Sequence, residues 1–484
     1  MRRRASGRAG VRWRAAGLAL GLTGLALGAG AASGVAMPHG LKLGVAGDPF
    51  LSSDAPLREV WMTKARQARA NLVYMGVAWS GVAPATRPSG FQAGNPADPA
   101  YEWALVDAGV RSAVRHGMQP VLNLNYAPTW AEGPHRPSLE KAPAGTWDPD
   151  PRQFGLFARA AARRYSGHFT DPADPGAGPL PGVRYFEVWA EENLPVNLNP
   201  LWRGRKLIGP RRYRVMLNEA YAAIHGANSG AKVIVGGLSP YGDPRPGGRV
   251  PPVWYWRSLL CLKGPQLEPL DCPDRAHFDI AAHNPINVGG PSRKALNPLD
   301  VSTPDNRKIT RIVRRAVQTH RVLPAKPKPF WATEIWWDSK PPDPDGVPER
   351  RHARFITKAL FSLWRQGASA VVWWYIRDQS HATGFSGTQQ SGLFFRDGRP
   401  KPAYWAFRFP FISGRDRAGG IFVWGKAPVS GPVVIERTTT GGWAPLARVS
   451  AGQNQIFQRR IDVWGGFKVR ARQGSETSLP WQAR

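Results

Sequence analysis

Apolar runs of strand length recur along the chain, and each is followed by a stretch whose apolar positions return every three or four residues. Leu41–Ala46, Asn71–Trp79, Pro120–Tyr126, Val183–Trp189, Ala231–Gly237, Phe278–His283, Pro329–Glu334 and Ala368–Ile376 read as strands. Between them Pro56–Ala68, Tyr101–Gly117, Phe154–Tyr165, Tyr213–Ala227, Thr310–Thr319 and Arg351–Gln366 read as helices. In the last of these Phe355, Ile356, Ala359, Leu360, Leu363 and Trp364 form one apolar stripe, and Gly117 supplies a stop for the second. Eight apolar runs with intervening helices predict an α/β protein, a parallel sheet closed into a (β/α)8 TIM barrel. A doubly wound open sheet is the rival. It loses ground because no glycine-rich phosphate fingerprint follows the first strand.

From about Gly419 the pattern changes to short alternating runs split by turns such as Gly441-Gly442 and Gly465-Gly466. That predicts a small all-β sandwich module. The expected organisation is a leader over 1–36, the barrel over 37–415 and the sandwich over 416–484. The module caps the barrel or, on a sharper reading, binds carbohydrate.

Barrel enzymes carry their reactive groups where strands end, and several of the predicted strands end in polar or aromatic side chains. Strand three ends in Asn123, Asn125 and Tyr126, strand four in Glu191 and Glu192, strand six in His283, and strand seven in Glu334. Any one of these has an ordinary structural explanation as a cap, a satisfied buried group or a solvated loop residue. Two carboxyls at the mouth of one barrel are what glycoside hydrolysis needs: one to hold a proton for the leaving oxygen, the other ionised behind the anomeric carbon.

The motifs around these acids sharpen the reading. Trp189-Ala190-Glu191-Glu192-Asn193 resembles the Trp-Asn-Glu-Pro-Asn signature of clan A glycoside hydrolases, and Trp331-Ala332-Thr333-Glu334-Ile335 resembles that clan's nucleophile strand. Family 39 and its family 5 relatives are the nearest likeness. Supporting segments are Val77-Ala78-Trp79, Tyr101-Glu102-Trp103, Ala127-Pro128-Thr129-Trp130-Ala131 and Lys401-Pro402-Ala403-Tyr404. The resemblance implies a retaining glycosidase with Glu191 as acid/base, Glu334 as nucleophile and no metal or organic cofactor. Glu192 is the rival acid. A shared parity of Glu187, Trp189 and Glu191 along the strand speaks for Glu191. Strand ends and motifs together nominate Trp79, Asn125, Tyr126, Trp189, Asn193, His283, Trp337 and Trp374 as sugar contacts, with Trp373 the alternative to Trp374. Two positions depart from the pattern: Ala190 stands where the motif has Asn, and His283-Asn284-Pro285 where relatives have a His-Pro-Tyr ending. These departures keep open a second reading, a glycan-binding or envelope protein on a barrel scaffold.

Composition changes this picture little. The 21 Trp residues suit either a core or flat platforms for sugar rings. The net charge of +31, from 65 Lys+Arg against 34 Asp+Glu, admits an anionic partner. No run of five or more basic residues outside the N-terminus and no nucleic-acid motif accompanies it, so nucleic acid is not the expected partner. The expected partner is a poly- or oligosaccharide, neutral or anionic, bound by a monomer. Arg2, Arg3, Arg4, Arg8, Arg12 and Arg14 precede the uncharged stretch Ala15–Ala36, which predicts a signal peptide cleaved before Met37 and a secreted or cell-envelope protein. An uncleaved anchor is the alternative. The only cysteines, Cys261 and Cys272, are expected to form a local disulfide in an exported chain.

Overall fold

Parallel strands and helices alternate in the order the apolar runs predict. The computed structural model describes residues 37–415 and 419–483, so the expected leader lies outside the described residues. The strands are β1 (Lys42–Ala46), β2 (Leu72–Ala78), β3 (Gln119–Asn125), β4 (Tyr185–Val188), β5 (Lys232–Val235), β6 (Ala281–His283), β7 (Phe330–Ile335) and β8 (Ala368–Trp374). They pair in the order β6-β7-β8-β1-β2-β3-β4-β5. Parallel bridges Ile234 to Ile280 and Leu238 to His283 join the two ends, closing the barrel.

Strand alternation divides the side chains into two layers. Leu72, Tyr74, Val121, Tyr185, Trp331 and Val372 fill the interior. Val73, Met75, Leu122, Phe186, Val233 and Val371 face outward under the helices. The helices longer than one turn are α1 (Ala55–Gln67), α2 (Ala104–Arg115), α3 (Pro151–Arg164), α4 (Gly209–Ala227), α5 (Pro252–Leu259), α6 (Arg307–Gln318), α7 (Glu349–Arg365) and α8 (Pro402–Arg408). Two of them, α5 and α8, were not expected. Both are short and start on a proline, which fits a first helical turn because the N–H that proline lacks would have no intrahelical partner there.

Cys261 and Cys272 are bonded, with Cα atoms 6.2 Å apart. The bond staples a hairpin, Leu262–Lys263 against Glu268–Pro269, beside α5. Among the described residues no helix is long and apolar enough to cross a membrane.

After α8 the chain forms two antiparallel sheets. The first joins β9 (Phe411–Arg415), β10 (Ile421–Lys426) and β13 (Ile456–Ile461). The second joins β11 (Gly431–Thr439), β12 (Gly442–Ala451), β14 (Phe467–Gln473), β15 (Glu476–Thr477) and β16 (Trp481–Ala483). Phe411, Ile421, Val423, Val433, Ile435 and Val469 form the core between them. The three-stranded sheet has two apolar faces. Ile421 and Val423 point into the sandwich, while Phe422 and Trp424 pack on Phe361 and Trp364 of α7, with ring centroids 5.4–5.7 Å apart.

Candidate active site

The end of β4 sets the site's geometry. Tyr185 and Glu187 point into the barrel, while Phe186 and Val188 point out. The alternation then breaks, because Trp189 and Glu191 take positive φ values of 65° and 46°. Such conformations cost a non-glycine residue roughly 1–3 kcal/mol and persist where surrounding contacts impose them. Here the contacts are hydrogen bonds from Asn123 Nδ2 to the Trp189 carbonyl (2.6 Å) and from the Glu191 amide to the Gly237 carbonyl (2.9 Å). The turn aims Glu191 at the barrel mouth and throws its neighbours outward.

That break corrects three sequence expectations. Trp189 does not share Glu187's face. Its indole is fully buried between Tyr126 and Phe154 and donates to the Asn197 carbonyl. Glu192, the rival acid, is also fully buried, in the layer outside the barrel with Tyr213, Tyr255 and Gly236. Burial pushes its carboxyl well up, so it sits neutral and away from the mouth. Asn193 is a loop clamp rather than a sugar contact. Its side chain accepts from the Ser239 amide (2.8 Å) and donates to the Val250 carbonyl (2.9 Å).

A bulge shapes the end of β7. Ala332 pairs with Val371 and Ile335 with Trp373, so β7 carries one residue more than β8 across the interval. Thr333 and Glu334 thereby reach the inside of the mouth, and Trp336 rather than the nominated Trp337 lies beside Glu334. Trp336 donates its indole N–H to Glu334 Oε1 at 2.8 Å. Trp337 turns into the outer core against Phe355 and Trp373, donating to the Asn287 carbonyl.

The two acids meet across one amide. Asn284 Nδ2 lies 3.3 Å from Glu191 Oε1 and 3.4 Å from Glu334 Oε2. Those oxygens are therefore no more than about 6.7 Å apart. The Thr333 hydroxyl donates to Asn284 Oδ1 at 2.9 Å, which turns the amide's N–H groups toward the carboxyls. A side chain at position 237 would collide with both Asn284 and Thr333, so Gly237 keeps room for this contact. Asn284 was visible in the sequence only as a departure from the relatives' strand-six ending. Its position one residue past His283 was the available signal.

Burial raises both acids, Glu191 to about 7 and Glu334 well above its ordinary value, with the Glu191 charge adding to the rise at Glu334. Each charge disfavours the other, so the two carboxyls resist ionising together. The indole N–H of Trp336 works against that rise at Glu334 by favouring its charged form. Beneath them Glu187 is fully enclosed. Burial pushes it up to about 8 despite hydrogen bonds from Tyr74, the Gly237 amide and Thr333.

The remaining candidates divide. Trp374 lies on the inner face of β8, half-buried, edge-on to Tyr74 at 5.4 Å, whereas Trp373 is buried in the outer core and donates to the Ser391 carbonyl. Asn125 ends β3 on the inner face, bonded to Asn123. Tyr126 is half-buried, and burial with the nearby Glu191 and Glu334 charges raises its hydroxyl. Tyr375, not foreseen, feels Glu334 likewise and is pushed up to about 12, chiefly by burial. Trp79 and His283 do not reach the mouth. Trp79 stacks on Phe157 in the outer core, and His283, neutral and fully buried, faces the Val301 carbonyl. Among the described residues no cluster of His, Cys, Asp or Glu is arranged to hold a metal ion.

The fold and site together define a (β/α)8-barrel protein with two buried carboxyls meeting at one amide at its mouth. No protein-family profile and no curated protein matches the chain. Among solved structures it is similar to a family 39 glycoside hydrolase from the gut symbiont Bacteroides cellulosilyticus WH2, at 15% identity over 88% of this chain and 81% of that one, with a TM-score of 0.54. It is also similar to a glucosidase from Croceicoccus marinus, at 15% identity over 91% of this chain and 97% of that one, with a TM-score of 0.48. At such identities the likeness is one of fold.

Proposed function

We propose that this protein is a retaining glycoside hydrolase that cleaves β-linked poly- or oligosaccharides by double displacement. The observation carrying this reading is the shared contact of Glu191 and Glu334 with Asn284. Retaining enzymes hold their carboxyls about 5–5.5 Å apart and inverting ones about 6.5–9.5 Å, and the ceiling of about 6.7 Å here favours the first.

In the first step Glu334 attacks the anomeric carbon as its bond to the leaving oxygen breaks, and the Glu191 proton passes to that oxygen. In the second, Glu191 takes a proton from water, whose oxygen displaces Glu334 and restores both groups. Trp374 offers an apolar face to the sugar. The disulfide and the arginine-led N-terminal sequence support export to an oxidising compartment.

The test is a panel of β-linked glycans, with NMR reading the first-formed anomer. Release of the β-anomer supports the reading, and the α-anomer overturns retention. Binding with no turnover of any glycan would instead favour a non-catalytic glycan-binding protein, for which Ala190 in place of the motif's Asn speaks.

Asn284→Ala should lower kcat roughly 10- to 100-fold, the scale of a lost hydrogen bond to a charge. The Asn284 contact lowers the Glu191 pKa, so its loss raises it. The alkaline fall in activity, which tracks deprotonation of the acid, then moves to higher pH. A pH–rate profile of the variant checks both effects, and an unmoved alkaline limb would remove Asn284 from the acid's environment.

A further inference from the structure

On the barrel's flank α7 presents Arg350, Arg354 and Lys358 at four-residue spacing, all exposed. Like charges so spaced repel along a helix, and among the described residues none of the three forms an ion pair. Some exposed cations elsewhere do sit beside acids, as in Arg249 with Asp243, Lys263 with Glu268 and Arg399 with Asp397.

Trp481 of β16 lies over this stripe, its ring centroid 4.5 Å from the Arg354 guanidinium and 5.9 Å from the Lys358 ammonium. A groove opens on each side of that indole. One, of about 550 Å³, is lined by Arg350, Arg354, Lys468 and Trp405, the last 46% exposed. The other, of about 950 Å³, is lined by Lys294, Arg307, Lys358, Arg365 and Arg415. Among the described residues no Asp or Glu lines either groove.

We propose that this two-sided trough around Trp481 is an anchoring site for an anionic polysaccharide, its cations pairing with carboxylate or sulfate groups and Trp405 and Trp481 meeting the apolar faces of the sugar rings. Charge argues against two other occupants. Residues 1–36, which lead to Met37 at the groove's edge, carry arginines and no acid, and a second copy would bring the same basic face. The choice of glycan over nucleic acid rests on the function proposed above.

The full chain carrying Glu334→Gln, which stops turnover, is titrated with polygalacturonate oligomers, a sulfated oligosaccharide, an uncharged oligosaccharide of equal length and duplex DNA. The uronate or the sulfated glycan should bind, more weakly as salt rises. Arg350→Ala, Arg354→Ala and Lys358→Ala together should weaken that binding at least about tenfold at low salt and flatten its salt dependence by about three charges. The equivalent triple on α3, on the opposite side of the barrel (Arg152→Ala, Arg159→Ala, Arg163→Ala), should change it less than about twofold. Equal losses in both triples would mean diffuse charge rather than a site. DNA binding as tight as the glycan, or no charged glycan bound, would also overturn the proposal. Hydrolysis of short neutral substrates by the chain with an intact Glu334 reads the barrel mouth separately, so failure of one reading is not failure of the other.

Discussion

Replacing Glu334 with alanine lowers kcat by roughly 10⁴- to 10⁶-fold on any glycan the protein cleaves, the scale seen when a covalent nucleophile is lost. Remaining binding contacts are untouched, so the variant still takes up substrate. Because the lost side chain no longer opposes the approach of a small anion, azide should restore part of the turnover and give a glycosyl azide of α configuration. The fold should survive, since a carboxyl whose pKa burial has raised is a group the structure holds at a cost. Stopped assays of purified variant and parent, with product configuration by NMR and a thermal melt, check each part. Full activity in the variant would remove Glu334 from the chemistry.

Glu191→Gln gives the second large effect, a loss of about 10²- to 10⁴-fold that depends on the leaving group. Natural glycans need a proton at the departing oxygen and lose most. Nitrophenyl glycosides, whose leaving group departs as an anion, lose far less. The pH profile changes in a defined direction. Glu191 acts protonated and its pKa is raised to about 7 by burial, so activity of the parent falls as pH rises through about 7. Glutamine cannot lose that proton, and the alkaline limb disappears. A limb that persists in the variant would assign the acid elsewhere.

Much of the barrel could be read from the sequence for a physical reason. Strands covered on both faces must be apolar throughout, so Asn71–Trp79 and Ala368–Ile376 stand out as runs. The positions of the two acids were legible as well, because each ends such a run. Which face a neighbouring side chain takes was not. Alternation counts residues, and it fails where the backbone departs from a regular strand, as at the left-handed Trp189 and the extra residue in β7. Hence Trp336 rather than Trp337 meets Glu334, while Trp373 and Trp374, in the regular stretch of β8 from Ala370 onward, fall as parity requires. Asn284 escaped for a different reason: an amide's value lies in what it bridges, and its partners are remote in the chain.

The sheet of β9, β10 and β13, apolar on both sides, makes the C-terminal region something other than a bead on a string. Phe422 and Trp424 complete the hydrophobic packing of α7, while Ile421 and Val423 complete that of the sandwich. Neither half has a water-compatible boundary of its own at this seam. The two should therefore melt together in one calorimetric transition, and a chain cut between them would release partners that each expose an oily wall.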